Sequence, residues 1–519
     1  MIIGVDVGTS MTKADAYDDH GRKLASAERP SRLEQYADGR VEQDLEDVVS
    51  SVADVVRRVA AEGGEEVRAL AVTGQGDGLW LRDADGFAVR PPISWLDDRA
   101  GDVVRRWQDD GTVAEVYRRT GVGLFPGCHA PLLVALGRDE PQSLERAAVA
   151  GYCVDALVQR LTGEITVDAS DASLPFLDVV SRTYDEGALA ACGLSDRRGL
   201  LADPAPPRTV FRLDRRGAEL VGLPVGTPVT GGPFDLPSCA VGAGLSQPGD
   251  GLLIIGTTLA CEVFTDRAPD FHSAREQTED GTAAEPAGMW LCTPDPDRWL
   301  RAMPAMVGTA GLDWLLDLLG VGIDALGGLL DGTTPGAGGV SALPFLSASG
   351  ERAPFVDTRA RGQIEGVTLS TGRGDVVRAV CEGIAYTARN CFERAASSAD
   401  AQGRLVACGG GSRSGVWAQI FADVLERPLV VPDDPGLGTR GAAVTAARAL
   451  GDDLDPATWA APSRTVEPDS STRSCYDDGY ARYRAHVDVA RDFWARQARG
   501  FRRRTSTTPS SPALSARPS

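Results

Sequence analysis

Lysine is nearly absent from this chain. Lys13 and Lys23 are the only two in 519 residues, and arginine supplies the other basic side chains. Mechanisms that need a lysine elsewhere are excluded, and no Gly-Lys-Ser or Gly-Lys-Thr exists to build a Walker phosphate loop. The protein-kinase catalytic set is missing as well. Positive charge is short overall: a net charge of −20 argues against nucleic acid and anionic membrane as partners, since both call for a basic face. Any phosphate ligand must therefore be held by local groups, namely backbone amides, Mg²⁺ and one or two arginines. No apolar run approaches about 20 residues, so no membrane span is expected. No basic start leads into an apolar stretch, so no signal peptide is expected either. The ten cysteines include no Cys-x-x-Cys pair, which reads as buried, reduced thiols in a cytoplasmic protein. His20, His129, His272 and His486 lack metal-ligand spacing, and His20 and His486 read as surface residues.

What is present is the composition of a soluble globular protein, 43% hydrophobic and 24% charged, long enough for two large domains or three ordinary ones. The most informative stretch is the first. Ile2 to Ala14 reads as an apolar strand, a Gly8-Thr9-Ser10 turn and a second strand, with Asp6 one step inside the turn. Gly251 to Phe264 repeats the plan around Gly256-Thr257-Thr258. Small turn residues let backbone N–H groups approach an anion, and the hydroxyls add donors. Two such hairpins, one in each half, fit a phosphate chain clamped between two lobes. That reading makes the chain an ATP-using enzyme or an ATP-gated machine. Asp6 alone could simply cap its own turn; in a phosphate site it holds Mg²⁺ through water, as a hard cation prefers.

Other strand-to-turn junctions carry polar side chains where α/β sheets bind ligands. Helical spacing over Val48 to Ala61 is followed by a strand over Val67 to Val72, then Gln75, Gly76 and Asp77. Trp95, Asp97 and Arg99 follow; taken alone they read as a salt-bridged loop, and beside Gln75 to Asp77 as a polyol site with an aromatic face. The strand ending at Gly231-Gly232-Pro233-Phe234 delivers Asp235. Asp235 is either a helix N-cap or a general base for a substrate hydroxyl. Helices are expected over Gly308 to Leu319, Val376 to Ala396, Val416 to Leu425 and Gly441 to Leu450, with strands at Leu405 to Ala407 and Pro428 to Val431. Gly436-Leu437-Gly438-Thr439-Arg440-Gly441 matches G-x-G-x-x-G but lacks the following strand with a terminal acid, so it reads as close helix packing and not as a dinucleotide site. The two hairpins divide the chain into an N-terminal lobe, 1–245, and a C-terminal lobe, 246–500, followed by a Ser/Thr/Pro-rich tail, 501–519, expected to be disordered.

These residues resemble the FGGY carbohydrate kinases, relatives of actin, hexokinase and heat-shock chaperones, from Met1 to about Ala498. The most specific match is Glu351-Arg352-Ala353-Pro354 through Asp357 to Ala360-Arg361-Gly362, followed by Gly362-x-Ile364-x-Gly366-Val367 and Asp375 to Glu382, where Cys381 replaces a larger apolar residue. The resemblance implies an α/β, two-lobed actin/hexokinase-like (ribonuclease H-like) fold with a nucleotide cleft between the lobes. It implies Asp6 near Mg²⁺ with Asp235, the catalytic base. Gly8, Thr9, Ser10, Gly256, Thr257 and Thr258 would contact the phosphates of ATP. Gly409, Gly410, Gly411 and Ser412 would line the adenine pocket, and Gly308, Thr309 and Gly311 the nucleotide's other side. Gln75, Gly76, Asp77, Trp95, Asp97 and Arg99 would line the sugar site. The Lys and Trp of the family's N-terminal signature are missing after Ala130-Pro131. Gln-Gly-Asp-Gly and Gly-Gly-Pro-Phe-Asp are similar to L-xylulose-type and erythritol-type kinases, and the Asn-Gln-Arg-Glu of glycerol kinases is absent. The implied activity is phosphorylation of a terminal hydroxyl of a ketopentose or similar linear polyol. A tetritol such as erythritol, and an ATP-gated sugar sensor without turnover, stand as alternatives, and a homodimer is an assembly left open.

Overall fold

The computed structural model of the chain describes residues 1–269, 286–396 and 403–505, with side chains as far as 496. The first hairpin forms as its pattern requires. β1 (Ile2–Val7) pairs antiparallel with β2 (Met11–Tyr17), and β3 (Lys23–Pro30) extends the sheet. β4 (Ala69–Gly74) lies parallel to β1 on the other side, followed by β5 (Phe211–Arg212) and β6 (Pro228–Gly231). The resulting order is β5-β6-β4-β1-β2-β3. The second hairpin founds a second sheet from β7 (Gly251–Ile255), β8 (Leu259–Thr265), β9 (Met289–Cys292), β10 (Trp299–Ala305), β11 (Leu405–Cys408), β12 (Leu429–Pro432) and β13 (Ser463–Val466). Its order is β9-β10-β8-β7-β11-β12-β13, with β7 parallel to β11 as β1 is to β4.

Helices cover both sheets, which is why β1 and β4 are almost wholly apolar and not alternating. α1 (Leu45–Gly63) starts at Asp44, whose side chain caps the Glu46 N–H, and stops at left-handed Gly64. Its Val48, Val52, Val55, Val56 and Val59 are buried at helical spacing, in one core cluster with Ile3, Val5 and Val7. Each such valine contributes about 1.5–3 kcal/mol on burial.

Among the later helices, those that bear on the site are α2 (Asp235–Gly242), α3 (Thr309–Leu318) and α4 (Arg373–Ala396). α5 (Leu437–Ala449) precedes α6 (Arg473–Thr505), which contains 501–505; the rest of the expected tail lies outside the described residues. α2 and α5 run between the sheets, and each crosses to the other lobe. Ala442, Ala443, Ala446 and Ala447 of α5 pack with Ile2, Ala69 and Ala71 of the first sheet. Ala240 of α2 and Ala243, its C-cap, share a buried cluster with Leu252, Phe264, Val406 and Cys408 of the second. The crossing is tight: a Cβ on Gly441 would sit 1.8 Å from the Ser238 carbonyl oxygen. α5 therefore begins at Leu437, earlier than expected, and takes in the whole glycine motif as a packing surface.

All ten cysteines are free thiols. His20 is exposed, but His486 corrects the expectation: its side chain is tucked against Gln363, at 2.9 Å, and Glu365, at 3.3 Å. His272 lies outside the described residues. Among the described residues no helix is long and apolar enough to cross a membrane.

Candidate active site

The first turn leaves its tip open. The Gly8 N–H closes on the Met11 carbonyl at 3.0 Å, and the Ser31 hydroxyl donates to the Gly8 carbonyl at 2.9 Å, while Ser10 is exposed. Asp6 stands at the base of this turn. Its Oδ1 is buried with no hydrogen-bond partner. Burial raises the carboxyl to about 6, Lys13 opposes the shift, and Asp15 adds to it. Lys13 is the residue directly opposite Asp6 in the hairpin register. Spacing alone did not single it out, although strand pairing about a short turn puts it there.

Residues expected in the sugar site gather beside that turn. Trp95 Nε1–H donates to Thr9 Oγ1 at 2.9 Å, and the Thr9 hydroxyl reaches Gln75 Oε1 at 3.4 Å. Gln75 in turn donates from Nε2 to Gln43 Oε1 at 2.8 Å, which adds Gln43 to the site. Gly76 lies against Phe234, whose ring a Cβ there would meet at 2.6 Å. Asp77 takes a left-handed φ of 55° and is buried, with Oδ1 unpartnered. Burial lifts its carboxyl to about 6, against the pull of Arg352 and the Cys128 thiol.

Asp97 and Arg99 are a different case. Asp97 Oδ2 accepts the Val41 N–H at 2.6 Å, and Arg99 binds both Asp97 oxygens and Glu42 Oε1. This is the salt-bridged loop of the simpler reading. It shapes the wall that carries Trp95 and engages both Asp97 oxygens and the Nε and Nη2 of Arg99 within the protein.

Asp235 is the first residue of α2, and the N-cap is Phe234, so the capping alternative does not describe it. Segment 232–234 is pinned on two sides: Thr73 Oγ1 donates to the Pro233 carbonyl at 2.6 Å, and the Phe234 N–H donates to Ser170 Oγ at 3.1 Å. Burial pushes the Asp235 carboxyl up to about 8, and Asp6 and Asp77 push the same way; the Leu236 N–H and Arg352 oppose. Protein encloses the carboxyl, yet the residue keeps part of its surface open, as a ligand-facing acid must. Its place in the first turn of a helix favours the ionised form once a cation or donor arrives.

The second-lobe motifs converge on the second turn. Gly308 N–H donates to Thr257 O at 3.0 Å and Thr309 N–H to Gly256 O at 2.7 Å. Gly409 lies so close that a Cβ would be 2.5 Å from the Ile255 carbonyl oxygen. The tips, Thr257 and Gly410, are exposed. Gly311 is buried in α3, and Ser412 turns its hydroxyl onto the Gly409 carbonyl at 2.9 Å. The two halves meet at Cys239 of α2. Burial raises that thiol, and Cys408 of β11, Asp6 of β1, Asp235 and Glu262 all push it the same way, so groups from both sheets act on it.

The donor set suits magnesium. Asp6 offers an unpartnered buried oxygen, and Asp235 is a second carboxyl near enough to feel its charge. Room beside Asp6 exists because residue 438 is glycine: a Cβ there would be 2.2 Å from Asp6 Oδ2. Among the described residues no group of three or more His, Cys, Asp or Glu is placed to hold a metal. Two carboxylates completed by water and phosphate is what magnesium takes, whereas a dedicated protein cage is not.

Arg352 of the second lobe reaches into the first. Its guanidinium lies over the rings of Phe125, at 4.4 Å, and Trp95, at 5.1 Å, with Nη1 3.6 Å from Asp77 Oδ2. The sequence shows it only as one arginine within a family run. A separate cavity of about 300 Å³, lined among others by Gln247, Asp295, Arg298 and Arg448, contains none of the expected site residues.

Known proteins resemble this chain over most of its length. Residues 1–242 match the N-terminal domain, and residues 271–450 the C-terminal domain, of the FGGY family of carbohydrate kinases. An erythritol kinase of Brucella abortus is 30% identical over 96% of this chain and 98% of its own length. A xylulose kinase of Klebsiella pneumoniae is 29% identical over 82% of this chain and 84% of its own length. The crystal structure of xylulose kinase from Rhodospirillum rubrum superposes with a TM-score of 0.82 at 28% identity, covering 95% of this chain and 99% of that one.

Proposed function

Because the chain belongs to the FGGY family of carbohydrate kinases, with the family's two-lobed actin/hexokinase-like fold, we propose that it moves the γ-phosphoryl group of ATP to a terminal hydroxyl of a short linear polyol or ketose. The observation that carries this is Asp235: a single acid, partly open, on a pinned segment and coupled at once to Asp6 of the first turn and Asp77 of the sugar loop. The near full-length likeness to an erythritol kinase supports a four-carbon acceptor alongside the five-carbon ketoses.

In this reading the lobe 1–245 carries the sugar loop, the first phosphate turn and the base. The lobe 246–500 carries the second turn, with Gly308, Thr309 and Gly311 on one side of the nucleotide and Gly409 to Ser412 along the adenine. With the Gly8 and Gly256 N–H groups closing their own turns, the N–H groups of Thr9 and Ser10 and of Thr257 and Thr258 cradle phosphate oxygens, the two glycines let the phosphates approach, and Lys13 adds the positive charge the chain otherwise lacks there. Gln75, Asp77 and Trp95 orient the acceptor. Asp235 accepts a hydrogen bond from the attacking hydroxyl and takes its proton late, when a loose phosphoryl transition state has already formed. Held by Asp6 with Asp235 nearby, magnesium would neutralise phosphate charge and draw both carboxyls back toward their ordinary range. Closing the lobes excludes water, the competing acceptor. The fold and these partners suit a cytoplasmic enzyme.

The test is ADP release from ATP against a panel of tetritols, pentitols and pentuloses. Acceptor-dependent ADP release from at least one of them is expected. Nucleotide binding without acceptor-dependent ADP would overturn the reading in favour of a sensor.

A further inference from the structure

We propose that Arg352 and Asp77 form a charge filter that admits neutral polyols and ketoses and rejects acceptors bearing a carboxylate; the proposal rests on reading the cleft as a sugar-kinase site. Arg352 is buried and held by its Nε–H on the Pro304 carbonyl at 3.0 Å. Its guanidinium, enclosed by the Phe125 and Trp95 rings, faces Asp77 at 3.6 Å. A desolvated cation of this kind is costly to leave without its counter-charge.

A substrate carboxylate needs a guanidinium able to receive it, ideally through both N–H edges. Arg99 is engaged with Asp97 and Glu42. Arg352 would have to release Asp77, stranding that carboxylate next to Asp235 and Asp6. Bringing a further carboxylate into a cleft that already holds Asp6, Asp77 and Asp235 adds like-charge repulsion at close range. A neutral acceptor meets no such conflict. Its hydroxyl donates to the unpartnered Oδ1 of Asp77, and the pair with Arg352 stays in place. Arg352 belongs to the second lobe while Asp77, Trp95 and Phe125 belong to the first, so the filter is complete only with the lobes together.

The experiment compares chain-matched neutral and acidic acceptors, erythritol with erythronate and D-xylulose with D-xylonate, by ADP release and by calorimetric binding. The unmodified enzyme is expected to favour the neutral member by about 100-fold or more in kcat/KM. Asp77→Asn frees Arg352 for a substrate carboxylate and keeps the left-handed backbone, which asparagine tolerates. It is expected to narrow the ratio by about tenfold or more through better use of the acid. Arg352→Gln is expected not to narrow it, since no cation remains. Equal binding of neutral and acidic members, or an unchanged ratio in a folded Asp77→Asn, would overturn the filter. Calorimetric preference for neutral acceptors without any ADP release would refute phosphotransfer and still support the filter.

Discussion

The indole N–H of Trp95 is bonded to the hydroxyl of Thr9 at 2.9 Å, which ties the loop proposed for the sugar to the turn proposed for phosphate. Thr9 passes the link on to Gln75 at 3.4 Å. In the proposed reaction the two substrates would therefore share a wall, and a change on one side would be felt on the other. Trp95→Phe keeps the aromatic face and removes the donor. Both KM values, for acceptor and for ATP, are expected to rise about three- to tenfold, the worth of one neutral hydrogen bond. Steady-state kinetics with each substrate varied in turn decides it; a shift in the acceptor KM alone would mean the link carries nothing.

Asp235→Asn preserves the shape of the acid and removes its capacity to take a proton. Acceptor binding by calorimetry should stay near that of the unmodified enzyme, while turnover falls by about 10²–10⁴-fold. Full activity in this variant would remove Asp235 from its proposed role.

The raised carboxyls set a direction for stability against pH. Asp6 and Asp77 stand at about 6 and Asp235 at about 8 in the fold. Unfolded, each returns to about 4. The folded state holds protons that the unfolded state has released, so this stabilisation is complete below about pH 4 and fades as pH climbs through 6 to 8. The thermal midpoint of the ligand-free protein is expected to fall between about pH 5 and pH 8.5, and less steeply in Asp235→Asn. A midpoint that rose over that interval would contradict the placement of these groups.

Gly441→Ala tests the helix crossing. The new Cβ would lie 1.8 Å from the Ser238 carbonyl oxygen, a backbone atom that cannot swing away. A loss of about 1–3 kcal/mol or more is expected from denaturant unfolding, with reduced turnover because α2 carries Asp235. An unaffected midpoint would mean the two helices separate easily.

A contrasting test uses an ion pair outside the expected site residues. Arg82 and Asp155 form an ion pair at 2.7 Å with side chains only 1% and 2% exposed. Asp155→Ala should cost about 3–5 kcal/mol by stranding the guanidinium, with KM values unchanged in whatever protein remains folded. Urea titration alongside kinetics separates the two effects.

Much of the architecture was legible in the chain because local chemistry decided it. Apolar strands ending in Gly-Thr-Ser or Gly-Thr-Thr can do little except turn, and Val48 to Val59 can bury only one helical face. Asp6, Gln75, Asp77 and Asp235 were visible for the same reason: each is a polar residue placed where an apolar strand stops. Arg352 was not, since an arginine in an irregular loop carries no sign of which rings it will lie between. Lys13 needed the hairpin register, and Gln43 needed a partner, Gln75, that is close only in space. Asp97 and Arg99 look like ligand groups in sequence, but the backbone at Val41 and the carboxylate of Glu42 take them up. The start of α5 was misplaced because glycine suggests a loop, while here it is the only residue that lets two backbones touch.

The exchange of α2 and α5 between the lobes bears on how the chain can be divided. The first sheet is roofed by a helix that the ribosome delivers some 200 residues after α2, to judge from the Ser238–Gly438 contact. Expressed by itself, the segment 1–245 would leave Ile2, Ala69 and Ala71 facing water, and its partner would lack the cover of Ala240 and Ala243. The halves are expected to be insoluble apart and to recover activity only when co-expressed, so that this enzyme, though two-lobed, is born as a single piece.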